Sequence, residues 1–249
     1  MSTWAFLFPY LRRPNFPPMA TKTTPSTEQK DLDIGEVYTR TELFLEKHKR
    51  TVTYAVSGVL IVVAGLLGYK RFISEPRAKE AADNIWKAQY YFEIDSLDKA
   101  INGDDNYFGF EYIASEYGST PSGKLAHFYL GTCYMEKGEY DLAIEHYKKA
   151  DLDDDVLRVM AVGNIGDALV ELDRSDEAVT YFEKAAGMTT DDFTTPMYLM
   201  KAGILRQQAG DWKAAARHFG RIATEFPQSP DAAQAKKYLG RAEESASRQ

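Results

Sequence analysis

One stretch of the chain repeats itself. Leu130-Gly131, Tyr134, Ala143, Tyr147 and Ala150 recur as Ile165-Gly166, Leu169, Ala178, Phe182 and Ala185, offset by 35 residues. A third copy, Ala202-Gly203, Ala215, Phe219, Ile222 and Pro227, follows 37 residues later. A fixed period of this length means one supersecondary unit stacked on itself, so the fold is decided by what a single unit can bury against its neighbours. In each copy a glycine is followed by an alanine twelve residues on and by an aromatic ring four beyond that. A spacing of four lies on one helix face. The turns at 137–140 (Lys-Gly-Glu-Tyr), 172–175 (Leu-Asp-Arg-Ser) and 209–212 (Ala-Gly-Asp-Trp) cut each copy into two antiparallel helices. The glycine and alanine positions are predicted where backbones approach too closely for larger side chains, with the aromatic rings filling the gap to the next copy.

These residues and their spacing resemble the tetratricopeptide repeat, an α-helical unit that stacks into a solenoid. One position departs from the pattern: where the first two copies have Tyr134 and Leu169, the third has Arg206, which predicts looser packing there. The match extends outward, because 112–131 (YIASEYGSTPSGKLAHFYLG) mirrors 221–240 (RIATEFPQSPDAAQAKKYLG) at an offset of 109, about three periods. The expected organisation is three repeats over 124–228, a divergent helical pair over 72–123 and a capping helix over 229–249. In the divergent pair, a helix over 78–101 carries Trp86, Tyr90, Ile94, Leu97 and Ile101 at helical spacing and faces a short helix over 106–117. The cap is predicted to be polar outward through Lys236, Lys237, Arg241, Glu243 and Glu244.

Ahead of the repeats, 51–69 (TVTYAVSGVLIVVAGLLGY) holds no charge across nineteen positions. At about 1.5 Å per residue such a helix reaches roughly 28 Å, the thickness of a bilayer core. A transmembrane helix is therefore expected over 51–71. Lys47, Lys49 and Arg50 precede it, Lys70 and Arg71 close it, and Tyr54 and Tyr69 sit where interfacial aromatics belong. No small-residue cleavage site follows, which argues against a signal peptide. Orientation is not decided by charge, since the twenty residues before the span hold four Lys/Arg and the twenty from Lys70 hold five. Gly58, Ala64, Gly65 and Gly68 form small-residue stripes that would let a second helix approach. Residues 31–50 place Val37, Leu43 and Phe44 among charges and read as a juxtamembrane amphipathic segment or, equally, a short linker helix. Residues 1–30, rich in Pro, Ser and Thr, read as a disordered tail, within which Met19 is an alternative start.

Composition excludes several functions. The net charge of −7 divides into +4 over 1–71 (ten basic, six acidic) and −11 over 72–249 (twenty basic, thirty-one acidic), so a nucleic-acid partner has no basic footprint to bind. The basic zone beside the span suits anionic lipid head groups instead. Cys133 is the one cysteine, which rules out an intramolecular disulfide and reads as a small buried hydrophobe. Four histidines at unrelated spacings make no zinc pattern, and neither a metal nor a cofactor is expected. The acidic run Asp151 to Asp155 fails as a calcium loop, because the sixth and twelfth positions are Val156 and Val162. It reads as a solvated turn between repeats. No phosphate-binding glycine loop, HExxH or GxSxG occurs, and repeat packing accounts for His127 and Cys133, so the chain reads as a scaffold with no catalytic residues.

The resemblance implies a groove lined by the first helix of each repeat. Its positions are Leu125, Phe128, Thr132 and Met135 in the first, Met160, Gly163, Asp167 and Val170 in the second, and Met197, Met200, Ile204 and Gln207 in the third. That surface is apolar and methionine-rich, suited to varied hydrophobic segments. Tetratricopeptide co-chaperones that clamp a C-terminal carboxylate use Lys, Arg and Asn at groove positions; here the matching residues are Phe128, Thr132 and Asp167, which disfavours that use.

A short tail ending in ELFLEKHKR, one uncleaved span and a repeat domain starting within about ten residues of it resemble, over 28–249, the YfgM-type ancillary subunits of the bacterial Sec translocon. That resemblance implies a bacterial inner-membrane protein with a cytoplasmic N-terminus and a periplasmic repeat domain. Its implied partners are the SecYEG channel and a membrane-anchored periplasmic chaperone. A cytosol-facing assembly or regulatory adaptor and an accessory of an envelope enzyme are the competing readings.

Overall fold

The computed structural model describes residues 34–248, with side chains from residue 46 onward. The expected tail over 1–30 and the side chains of Val37, Leu43 and Phe44 lie outside the described residues. Contacts divide the chain at Leu60 into two units, each described here by itself.

In the first unit the described residues are helical. Helix α1 (Ile34–Tyr69) begins there and leaves helical geometry at His48, where φ is −113° and ψ is 19°. The charge-free run therefore starts just after a break, with Thr53 Oγ1 donating back to the Lys49 carbonyl at 2.7 Å.

The second unit, from Ile61, holds the end of α1, a π turn over Lys70–Ser74 and ten further helices. The apolar window within the continuous helix Glu46–Glu93 has a mean hydropathy of 2.0 and none of it is buried. It is long and apolar enough to cross a membrane. Cβ atoms built on Gly58, Gly65 and Gly68 would meet nothing within 4 Å.

Helices α2 (Glu75–Glu93), α3 (Leu97–Asn102) and α4 (Phe110–Tyr117) follow. This corrects the predicted helical pair. The chain turns after α2 because Asp95 takes a left-handed φ of 58°, a conformation Asp tolerates better than most residues, and the predicted single helix over 78–101 becomes two. The predicted face of α2 is also corrected. Trp86, Tyr90 and Ile94 are exposed, while Ala81, Ile85, Ala88 and Tyr91 carry the contact with α3, α4 and α5.

The repeats are three helix pairs: α5 (Pro121–Glu136) with α6 (Tyr140–Lys149), α7 (Asp155–Glu171) with α8 (Ser175–Gly187), and α9 (Thr194–Gln208) with α10 (Trp212–Glu225). Each pair is closed by a residue with positive φ at the same place in the period: Gly138 (74°), Asp173 (57°) and Gly210 (77°). The predicted close approach is present in all three. A Cβ on Gly131, Gly166 or Gly203 would come within 2.7, 2.5 or 2.6 Å of the ring of Tyr147, Phe182 or Phe219, sixteen residues further on. Phe219 is fully buried, and Arg206 reaches back to Asp176 of α8 at 2.8 Å, so an ion pair between repeats stands where looser packing was expected.

The acidic run has structural employment. Asp154 caps α7 by accepting from the Leu157 amide at 2.8 Å, Asp151 pairs with Lys124 at 2.9 Å, and Asp155 pairs with Arg158. Thr120 and Asp211 cap α5 and α10 in the same way. The final helix α11 (Ala232–Ala246) buries Ala232, Ala235 and Ala242 and exposes Lys236, Lys237, Arg241, Glu243 and Glu244, the polar outer face predicted for a cap.

Candidate partner-binding groove

The twelve predicted groove residues do not form one open apolar surface. Phe128 and Met200 are buried at 9% and 7% exposure and belong to the core. Gly163 is buried because the Tyr198 ring occupies the place of its absent side chain; a Cβ there would lie 2.1 Å from the ring. Leu125, Met135 and Met197 are partly buried against the core, and Met160 is exposed at 38%. The Oε1 of Gln207 is buried with no hydrogen-bond partner among the described residues. The expected methionine-rich lining is thus corrected: the methionines mostly serve helix-to-helix packing, since thioether chains fill irregular gaps between helices.

The structure does bring Asp167, Val170 and Ile204 together. They line a cleft of about 250 Å³ with Phe182, Lys201, Leu205 and Gln208. At its centre Lys201 Nζ donates to both carboxylate oxygens of Asp167, each at 2.7 Å. The ammonium also sits over the rings of Phe182 (5.4 Å) and Tyr198 (5.7 Å). Burial, followed by the Asp167 charge, pushes the Tyr198 hydroxyl up to about 12. The one lysine in this cleft is therefore neutralised within the protein, which adds a physical reason against a carboxylate clamp to the one already given by Phe128 and Thr132.

Thr132 belongs to a second polar link. Its hydroxyl and that of Tyr147 are 3.1 Å apart, and Asn164 Nδ2 donates to Tyr147 at 3.1 Å, tying α5, α6 and α7. Asn164, Lys201, Tyr147, Tyr198 and Phe182 were not among the predicted groove positions. A periodic signal could have found the first two. The residue immediately before each Leu-Gly, Ile-Gly or Ala-Gly pair is Tyr129, Asn164 or Lys201, and each reaches back to the preceding unit. Tyr129 stacks on Phe110 at 4.9 Å, Asn164 bonds Tyr147 and Lys201 bonds Asp167.

Helices α4, α5 and α6 gather a third set of groups. His127 and His146 face each other with their Nδ1 atoms 3.1 Å apart. Tyr134 donates to Glu111 at 2.9 Å, and His146 Nε2 lies 3.6 Å from the same carboxylate. Burial outweighs the neighbouring carboxylates here, lowering His127 to about 4 and His146 below the ordinary imidazole value, so the His146–Glu111 contact at neutral pH is between a neutral ring and a carboxylate. Cys133 is fully buried, its thiol pushed up to about 12 by burial, and it has none of the thiolate character a nucleophile needs.

No curated protein matches the chain. Three models described as tetratricopeptide repeat match it, over residues 125–150, 161–192 and 200–249. Those segments fall on α5–α6, α7–α8 and α9–α11, each with the glycine-to-ring approach described above. The chain thus carries tetratricopeptide repeats over residues 125–249.

Proposed function

We propose that this protein is a single-span membrane-anchored scaffold whose repeat domain binds other proteins, and that it serves as an ancillary subunit of the Sec translocon linking the channel to periplasmic chaperones. The observation that carries the anchoring is the helix holding the charge-free run 51–69, long and apolar enough to span a bilayer and wholly unburied. Exposing that much apolar surface to water is unfavourable at about 25 cal/mol per Å², and lipid removes the cost. The scaffold part rests on the three repeats, whose clefts offer protein partners a rigid surface. The translocon part rests on the arrangement of tail, span and adjoining repeats in the sequence. In this reading the repeat domain is periplasmic in a bacterial inner membrane, and it passes exported chains along by proximity, without chemistry.

The test is affinity purification of the tagged protein from membranes in mild detergent, with protease access to the repeat domain measured from each side. Co-purification of SecY and a periplasmic chaperone with an outward-facing domain is the expected result. An inward-facing domain would favour a cytosol-facing adaptor, and a partner set without the channel would remove the translocon role while leaving the scaffold.

A further inference from the structure

Helices α2, α3 and α4, taken together as the first helical unit ahead of the repeats, display large rings on their surface. Trp86 and Tyr90 on α2, Tyr107 and Phe108 in the loop after α3, and Tyr112 on α4 are all 40% or more exposed. The rings are mutually ordered: Phe108 and Tyr112 stack at 3.9 Å with 12° between planes, and Trp86 meets the edge of Tyr107 at 5.9 Å. The loop that carries two of them is fixed. A bridge pairs Gly103 with Phe108, and Asp104 accepts from the amides of Asn106 and Tyr107 at 2.9 Å each and from the Tyr91 hydroxyl. Gly103 makes this possible, with a φ of 82° and no room for a Cβ beside the Tyr107 carbonyl.

In the midst of these rings stands Lys87. Its Nζ lies 4.4 Å from the centroid of Tyr90, 5.0 Å from Tyr91, 5.2 Å from Tyr107 and 5.5 Å from Trp86. Among the described residues no carboxylate forms an ion pair with it. Lys201 is the informative contrast: it also sits over two rings, yet Asp167 neutralises it at 2.7 Å. Four rings hold the Lys87 ammonium in place, and among the described residues no anion matches it.

We infer that Trp86, Lys87, Tyr90, Tyr107, Phe108 and Tyr112 form a docking surface, separate from the repeat cleft, for an extended protein segment carrying a carboxylate between large apolar side chains. The carboxylate pairs with Lys87 and the apolar side chains cover the rings. Exposed Trp and Tyr in a fixed arrangement are the residues that dominate protein interfaces, since they bring large area with little conformational entropy to lose. A lysine already immobilised by rings forms its ion pair with less ordering cost than a free one. Lipid is the less suitable anion: Trp86 is seventeen residues beyond Tyr69 in one continuous helical run, roughly 25 Å along the axis from the end of the apolar segment. The inference rests on the scaffold reading but not on the translocon.

The test uses the full chain in nanodiscs and a fluorescein-labelled peptide, Gly-Leu-Phe-Asp-Leu-Phe-Gly, capped at its C-terminus as the amide, with an otherwise identical peptide in which Asn replaces Asp. Fluorescence anisotropy is expected to show the Asp peptide binding about tenfold or more tightly than the Asn peptide, the discrimination of one well-placed charge pair. Lys87→Gln should abolish that preference, Lys87→Arg should keep it, and Lys201→Ala in the repeat cleft should leave it unchanged. The peptide comparison involves no change to the protein, so a folding defect cannot imitate it. Equal affinity for the two peptides, or no binding of either, overturns the proposal. Loss with Lys201→Ala but not with Lys87→Gln would assign the peptide to the repeat cleft and equally overturn it. Co-sedimentation with phosphatidylglycerol vesicles that depends on Lys87, without any peptide preference, would make the surface a lipid contact instead.

Discussion

The first helical unit and the three repeats are built from the same residue types and use them in opposite ways. Each repeat buries one ring fully or almost fully against a glycine one helix away: Tyr147 on Gly131, Phe182 on Gly166 and Phe219 on Gly203. In the unit formed by α2, α3 and α4, Phe110 and Tyr117 are buried, yet Trp86, Tyr90, Tyr107, Phe108 and Tyr112 face outward. The difference lies in what stands opposite. A glycine lets two backbones approach closely enough to enclose a ring from all sides, whereas α2 packs through Ala81, Ile85, Ala88 and Tyr91 and leaves Trp86 and Tyr90 exposed. Stability should therefore reside in the rings of the repeats, and recognition in the rings of the first unit.

Truncating one ring in each region should give very different losses of stability. Phe182→Ala should cost about 4 kcal/mol and lower the thermal midpoint of the repeat domain, because a cavity opens between α7 and α8. Trp86→Ala should cost less than about 1 kcal/mol, as expected of an exposed side chain. Comparable losses, followed by circular dichroism on heating, would show that the exposed rings are structural after all.

A methyl group added opposite the ring probes the same contact from its other side. Gly166→Ala should cost about 2 kcal/mol, since the new Cβ would lie 2.5 Å from the Phe182 ring and the interior resists overpacking. Gly65→Ala meets nothing within 4 Å and should leave the repeat domain's denaturant midpoint unchanged.

Acid should act on the boundary between the two regions. His127 is lowered from 6.5 to about 4 by burial and by the facing His146, and His146 is also lowered; His218, inside the third repeat, shifts the same way. An unfolded chain takes up these protons at a higher pH than the folded one. Stability is then fully present above pH 6.5 and is lost as the pH falls toward 4. Thermal midpoints measured between pH 7.5 and 4.5 should fall, and His127→Gln should make the fall shallower by removing one of the two facing rings. A midpoint independent of pH across this range would contradict the assignment.

The smallest effect concerns a turn. Asp173 occupies with a φ of 57° the place held by Gly138 and Gly210 in the neighbouring repeats. Asp173→Gly should stabilise by about 0.5 kcal/mol, relief of left-handed strain outweighing the entropy of glycine, as read from chemical denaturation.

Much of this fold was legible in the sequence because a solenoid is a local object. Glycine, alanine and aromatic ring recur at fixed offsets, and each offset is short enough for helix geometry to convert it directly into a contact. The turns at Gly138 and Gly210 were equally plain, since glycine accepts the left-handed φ they need, whereas the caps at Thr120 and Asp154 were not predicted. The groove was not so legible. Phe128, Gly163 and Met200 occupy positions that a single helix would present outward, yet Tyr198 of the next repeat covers Gly163 and Phe128 meets Tyr147 of its own repeat. Lys201 was overlooked because its partner Asp167 lies 34 residues away, a pairing that only the stacking of α9 on α7 and α8 creates.

The sequence by itself determined the helical repeats, their close-packing glycines, the polar cap and the long apolar run, since each follows from period, side-chain size and charge along the chain. The outward face of α2, the pairing of Lys201 with Asp167 and the setting of Lys87 among four rings come from packing alone. Those depend on which helices meet and at what rotation, and a shift of one residue turns a helix by about 100° and exchanges a buried ring for an exposed one.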